Sequence, residues 1–221
     1  MKYSKEQLQH VYRSDCLNFE NFDKKYNVDT ASPIVPVDSE PDIMRPSAYD
    51  NTDVVPGSEG YQPIPLHWID IINRFFEQHR DKNLRFVDIG SGKGKPMLYS
   101  LLNNAPYSEY ICIEADKVYA DICKQNLVTT NINIDKPVTV LEMDAFDFDY
   151  SQNDNMYCLF QPFSIDLFQK FLDKNWSKLQ KTNSYMACIM VDAYDVEKRF
   201  VIPSVFSEGF VYIYEFGKEQ Q

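Results

Sequence analysis

The sequence predicts an α/β fold, a mostly parallel twisted sheet with helices on both faces. Two observations carry this. Short apolar runs of strand length alternate with amphipathic stretches of helical period from about residue 65 onward. The first such run leads directly into a glycine-rich turn that opens a helix, at Asp88–Lys95.

The elements follow in order. Residues 66–80 place Leu66, Ile69, Ile72 and Phe76 on one helical face, with Trp68, Ile71 and Phe75 beside them and Pro65 suited to the first helical position. LRFVDIG (84–90) reads as a strand and about 95–104 as a helix. YICIEA (110–115) is the next strand, and about 117–131 a helix burying Tyr119, Ile122, Cys123 and Leu127. VTVLEMD (138–144) and NMYCLF (155–160) are strands three and four. Residues 165–181 form an amphipathic helix capped by Ser164, through Leu167, Phe168, Phe171, Leu172, Trp176 and Leu179. YMACIMVDA (185–193), apolar nearly throughout, suits a central strand. FVYIYEF (210–216) closes the chain at or near the sheet edge. Residues 1–62 differ: Ser4 and Gln7 make a capping box for one short helix, and 27–65 carries seven prolines without a sustained period. The chain thus divides into an N-terminal helix with an extended arm or lid (1–62) and a ligand-binding domain (63–221).

Composition bounds the partners. The 221 residues, 44% hydrophobic, fit one core, and a formal charge of −11 repels a phosphate backbone over most of the surface, so nucleic acid is disfavoured as a partner. Cys16, Cys112, Cys123, Cys158 and Cys188 form no C-x-x-C pair, and three of them lie in apolar runs, so free thiols in a reducing compartment are expected. His10, His67 and His79 lack metal-ligand spacing, and no metal site is expected; His67 and His79 read as surface residues. With no apolar run of membrane-spanning length and no leader-like N-terminus, a soluble cytoplasmic protein is the expectation. No particular oligomeric state is implied.

The chemistry concentrates at strand ends, where open α/β sheets bind ligands. In Val87-Asp88-Ile89-Gly90-Ser91-Gly92-Lys93-Gly94-Lys95, three of the chain's seven glycines fall within five residues. Gly90 permits a tight turn, and Gly92 and Gly94 let backbone approach a ligand. A dinucleotide site needs G-x-G-x-x-G so that a pyrophosphate can rest on the helix N-terminus; here Lys95 stands at the last glycine position. A phosphate-binding P-loop cannot be laid on this stretch either. Glu114, ending the second strand, can accept hydrogen bonds from two ribose hydroxyls, with Asp116 as the alternative if the register slips. Asp144-Ala145-Phe146 ends the third strand amid further acids, and Gln161-Pro162-Phe163 follows the fourth.

The D-x-G-x-G-x-G spacing resembles motif I of class I S-adenosylmethionine-dependent methyltransferases. The resemblance implies a Rossmann-like methyltransferase fold with an antiparallel C-terminal edge, here short. It also implies S-adenosyl-L-methionine as cofactor. The loop (Gly90, Ser91, Gly92, Gly94) would cradle its amino-acid part, Asp88 would hold the ammonium, and Asp144 with the backbone of Ala145 would meet the adenine. Gln161-Pro162-Phe163 resembles N-P-P-Y or N-P-F of nitrogen methyltransferases, in which an amide and a carbonyl orient the acceptor amine and an aromatic ring packs beside it; Gln161 stands where that family has Asn. Tyr61-Gln62-Pro63-Ile64-Pro65 resembles a Y-x-P-T-P element and places Tyr61 near the cofactor. Phe22–Thr30 is similar to the F-D-R-R-x-G-V-D-T of a largely uncharacterised bacterial group that also has G-S-G-K-G and N-P-F; Asn27 replaces its Gly, and Asp29 and Thr30 fall on the lid. The implied activity is methyl transfer to a nitrogen of a protein or small-molecule acceptor. Tyr61, Asp192 and Tyr194 are the candidate bases. A cofactor-binding partner protein without transfer activity is the alternative, which Gln161 permits; a nucleotide-dependent oxidoreductase is disfavoured by the glycine spacing.

Overall fold

The computed structural model describes residues 21–30, 63–79, 83–189 and 203–217. Residues 21–26 are helical (α1). Then follow α2 (Leu66–Glu77), β1 (Arg85–Ile89), α3 (Lys95–Leu102), β2 (Tyr110–Glu114), α4 (Lys117–Thr129), β3 (Val138–Glu142), β4 (Asn155–Phe160), α5 (Ile165–Leu179), β5 (Tyr185–Ile189), β6 (Phe206–Glu208) and β7 (Val211–Glu215). The expected helix after Ser4 lies outside the described residues.

The strands form one seven-stranded sheet in the order β3-β2-β1-β4-β5-β7-β6. β1 to β5 pair in parallel, while β7 runs antiparallel to both β5 and β6. This is a Rossmann-like arrangement with an antiparallel C-terminal edge. The chain leaves β1 toward β2 and β3 on one side and later fills β4 and β5 on the other, so the order reverses at the β1/β4 boundary. A crevice beyond the carboxyl ends of those strands is where such a sheet binds ligands.

Alternation along the strands divides the core in two. Phe86, Cys112, Met156, Cys158, Tyr185 and Ala187 face one cluster with Trp68, Ile72 and Phe76 of α2, Leu98 of α3 and Cys123 of α4. Val87, Ile111, Ile113, Tyr157, Leu159 and Met186 face the other, filled by Phe168, Phe171, Leu172 and Leu179 of α5. Both faces are covered, as a parallel sheet requires.

Two local readings are corrected. Pro65 caps α2 instead of opening it, at φ −58° and ψ 132°. The buried face of α4 is Ala120, Cys123 and Asn126, with Tyr119, Ile122 and Leu127 only half-buried. β7 lies next to the sheet edge, as expected, with the three residues of β6 pairing beyond it. His79 is half-buried, its ring stacked on Phe75 at 4.5 Å, while His67 is exposed. Cys112, Cys123, Cys158 and Cys188 are free and buried.

Candidate active site

The glycine loop is fixed by its neighbours before any ligand is considered. The amides of Gly90 and Ser91 both donate to the Ile113 carbonyl at the end of β2, at 2.9 and 3.0 Å. Gly94 N donates to Ser91 O at 2.9 Å, and Gly92 N to Glu114 Oε2 at 2.7 Å. Gly90, Gly92 and Gly94 hold φ of 71°, 51° and 81°, the left-handed region where a Cβ is penalised. Two of these glycines also answer to side chains behind the loop. A Cβ on Gly90 would stand 2.5 Å from Pro162 Cβ, and one on Gly94 would stand 2.5 Å from Cys123 Sγ. Close packing is thus a second reason for glycine at both positions, beside approach to a ligand.

Four of the segments singled out in the sequence meet here. Glu114 touches the loop through Gly92, and Pro162 packs on Gly90. Phe163 packs on Phe146 with ring centroids 5.9 Å apart and on Phe171 at 5.2 Å. Phe146 follows Asp144 and Ala145 in a single 3-10 turn, Ala145–Asp147, which Asp144 caps by accepting from Phe146 N at 2.8 Å. Buried Ala145 is held from below, its carbonyl accepting from Tyr150 Oη at 2.8 Å. Tyr61 lies outside the described residues, as do Asp192 and Tyr194.

Two acids lie at the heart of this arrangement. Asp88, at the carboxyl end of β1, is 3% exposed, and its Oδ2 has no hydrogen-bond partner among the described residues. Burial, then the negative charge of Glu114, holds its carboxyl well above the usual carboxylate range. Burial also raises Glu114, opposed by the amides of Asp116, Gly92 and Ala115. Asp116, the alternative to Glu114, is instead the N-cap of α4, accepting from Val118 N at 2.8 Å. Ser91 Oγ, beside the Cys112 thiol, is likewise buried, with no oxygen or nitrogen partner among the described residues. A cluster of orphaned acceptors under a loop of positive-φ glycines is what a cationic, hydroxyl-bearing ligand would satisfy.

Beyond β4, Gln161 adopts φ 44°. Gln rarely takes up the left-handed region, and Asn enters it more readily, so the backbone here stores strain at a strand end facing the loop. A polar groove of about 510 Å³ at the amino ends of β1, β2 and β4, lined by Arg85, Glu109 and Asn153 among others, is a weaker candidate. The Arg85 guanidinium there is already engaged by Asn155 at 2.8 Å and Glu109 at 3.1 Å.

Sequence reasoning missed Asn126 and the buried Lys93. Asn126 is 2% exposed and ties the arm to the loop: its Nδ2 donates to Asp29 O at 2.9 Å and Lys93 O at 3.0 Å, and its Oδ1 accepts from Asp29 N at 2.8 Å. An amide three residues after Cys123, on the buried face of α4, was the available signal.

No family model matches the sequence, and no curated protein does. Solved structures match the fold. A "putative RNA methyltransferase" from Pyrococcus horikoshii superposes with a TM-score of 0.51 at 16% identity, over 72% of this chain and 86% of that one. A "putative methyltransferase" from Escherichia coli does so with a TM-score of 0.51 at 15% identity, over 73% of this chain and 91% of that one. The first of these corrects the expectation that nucleic acid is disfavoured as a partner. A net charge of −11 is a sum over the whole surface, whereas RNA is bound by a local patch, so acidity does not exclude a nucleic-acid acceptor on this fold. Among the described residues no helix is long and apolar enough to cross a membrane.

Proposed function

We propose that this chain is an S-adenosylmethionine-dependent methyltransferase. The observation that carries the reading is the buried Asp88 carboxyl, its Oδ2 without a hydrogen-bond partner among the described residues, next to the glycine loop and Glu114 at the β1/β4 switch point. An amino-acid ammonium neutralises Asp88; a dinucleotide, whose pyrophosphate is anionic, would add to the negative charge of the two acids.

The residues fit the cofactor. Glu114 Oε2 accepts from Gly92 N and Oε1 from Asp116 N, and a carboxylate offers about four acceptor positions, so Glu114 can still accept from the ribose hydroxyls. Asp144 spends one oxygen on its cap and keeps the other for the adenine amino group, with the Ala145 amide beside it. S-adenosylmethionine supplies a methyl group on a sulfonium that is already a good leaving group. What this chain must add is therefore alignment and a desolvated nucleophile.

Gln161, Pro162 and Phe163 provide these. The Gln161 amide oxygen and the backbone carbonyl beside it accept from an amine and turn its lone pair toward the loop, while Phe163, braced by Phe146 and Phe171, limits water. That chemistry selects a nitrogen nucleophile, and a nucleobase, a side chain or a small amine could present one. The test is calorimetry with S-adenosylhomocysteine and NAD, followed by transfer of labelled methyl to fractionated lysate. Binding of S-adenosylhomocysteine alone supports the reading; binding of NAD alone overturns it. Gly92→Arg should abolish binding by filling the loop, and Gln161→Ala should spare binding but lose transfer.

A further inference from the structure

We infer that segment 21–30 is a positioning element for the cofactor loop, with Asp29 acting through Lys93; this rests on the proposed cofactor. Lys93 lies between Gly92 and Gly94, and its side chain is only 2% exposed. Its ammonium sits 2.7 Å from Asp29 Oδ1, on a side chain that is 58% exposed. A lysine drawn under a loop in this way is costly without a countercharge, so the pair fixes which way the loop's central residue points.

Asp29 is itself held from several directions. Thr30, fully buried, donates from N to Asp23 Oδ2 at 2.6 Å and from Oγ1 to Asp23 Oδ1, and Val28 N donates to Asp23 O at 3.1 Å. Phe22 anchors α1 in the core against Tyr26 and Tyr99, with ring centroids at 5.0 and 6.0 Å. The Tyr26 carbonyl accepts from Thr130 Oγ1 and Asn131 N, both at 3.0 Å. Asn27 turns the chain at φ 54°, a conformation that Gly or Asn takes most readily. Asn126 then joins the backbone of Asp29 to that of Lys93 through one buried amide.

This arrangement matters for binding because the loop is rich in glycine. Alternating glycines lose more backbone freedom on ordering than other residues, and that loss weakens any ligand that must impose the bound geometry. A loop already ordered by Asp29 and Asn126 binds more tightly with no added ligand contact. Linkage makes the effect reciprocal: the cofactor must tighten the arm by the factor by which the arm tightens the cofactor.

The test measures the dissociation constant of S-adenosylhomocysteine by calorimetry for the wild type, Asp29→Asn, Asp29→Glu, Lys93→Met and the Asp29→Asn/Lys93→Met pair. Asp29→Asn should weaken binding by about 5- to 20-fold. Asp29→Glu should restore most of it, and Asp29→Asn should add less than about twofold once Lys93 is Met. In hydrogen exchange of the wild type, ligand should slow the amides of Val28, Asp29 and Thr30 by a similar factor. Circular dichroism melting confirms that each variant is folded. If the wild type binds and Asp29→Asn binds equally well, or loses the same factor with Met at position 93, the positioning role is overturned while the cofactor assignment stands. If the wild type fails to bind, the cofactor assignment itself falls and takes this inference with it.

Discussion

Replacing Asp88 with Asn should make the ligand-free protein more stable and the liganded protein less so. The carboxyl is 3% exposed, one oxygen has no partner, and burial and Glu114 raise its pKa in the folded state. In the unfolded chain it titrates at the ordinary value, near 4. The sign follows from linkage. Below about pH 4 both states are protonated and the group costs nothing through ionisation. As pH rises from there toward the raised folded pKa, only the unfolded state releases its proton, so folding stability falls. Asn keeps a buried polar group in that place but has no proton to release, so at neutral pH Asp88→Asn should recover only the ionisation-linked loss, about 1.4 kcal/mol for each unit by which burial raises the folded pKa, up to the working pH. For a domain of this size each such step is a rise of roughly 3–6 °C in melting temperature. Ligand reverses the order. S-adenosylhomocysteine at a hundred times its dissociation constant should stabilise the wild type by about 2.7 kcal/mol, because its ammonium meets the ionised carboxylate; the variant should gain far less. Melting both proteins from pH 5 to 8, with and without ligand, tests all of this. Glu114, also raised by burial, leaves the variant a shallower slope of the same sign. A lower melting temperature for ligand-free Asp88→Asn at pH 7.5, or undiminished stabilisation by ligand, would refute the assignment.

Other perturbations probe the packing around the loop. Gly94→Ala adds a methyl 2.5 Å from Cys123 Sγ at φ 81°, and should cost about 2–4 kcal/mol in urea unfolding. Combining it with Cys123→Ala should recover about 1 kcal/mol relative to the sum of the single changes; strict additivity would mean that the contact with Cys123 is not what excludes a side chain there. Gln161→Asn, better suited to φ 44° and still an amide, should keep methyl transfer, whereas Gln161→Val should lose it and about 1–2 kcal/mol of stability. Equal turnover for Val and Asn would remove the amide from the chemistry. Asn126→Leu strips three hydrogen bonds from the arm and loop and should cost about 2 kcal/mol or more, with faster exchange of the Asp29 amide as its local signature.

The parallel half of the fold was legible because its physics is local. β1, β4 and β5 are buried on both faces, so β5 and all but the first residue of β4 read as apolar runs and β1 is apolar apart from Arg85 and Asp88, while α2 and α5 show their apolar stripes plainly. β6 was not legible. Its three residues, Phe206, Ser207 and Glu208, are too few to show a period, and two of them are exposed. The face of α4 was misplaced for a different reason: the residue that fits its buried stripe is Asn126, a polar side chain whose place depends on an arm nearly a hundred positions away in the chain. No local window contains that information.

The glycine loop shows the same division more sharply. Its spacing reads as a cradle for a ligand and differs from the dinucleotide fingerprint. It did not reveal that Gly90 gives way to Pro162, or that Gly94 gives way to Cys123. These are demands made by β4 and α4 on the back of the loop, and they are indistinguishable in sequence from demands made by a ligand on its front. Ile113, Glu114, Asn126 and Asp29 add four more restraints, from β2, α4 and the arm. A segment with three left-handed glycines would be among the most mobile in the chain if it were free. Held from so many directions, it arrives at the ligand already shaped, and the glycines supply conformation without the entropic loss they would otherwise impose. The loop's affinity is therefore set as much by Asp29 and Asn126, which the glycine motif does not include, as by the motif itself.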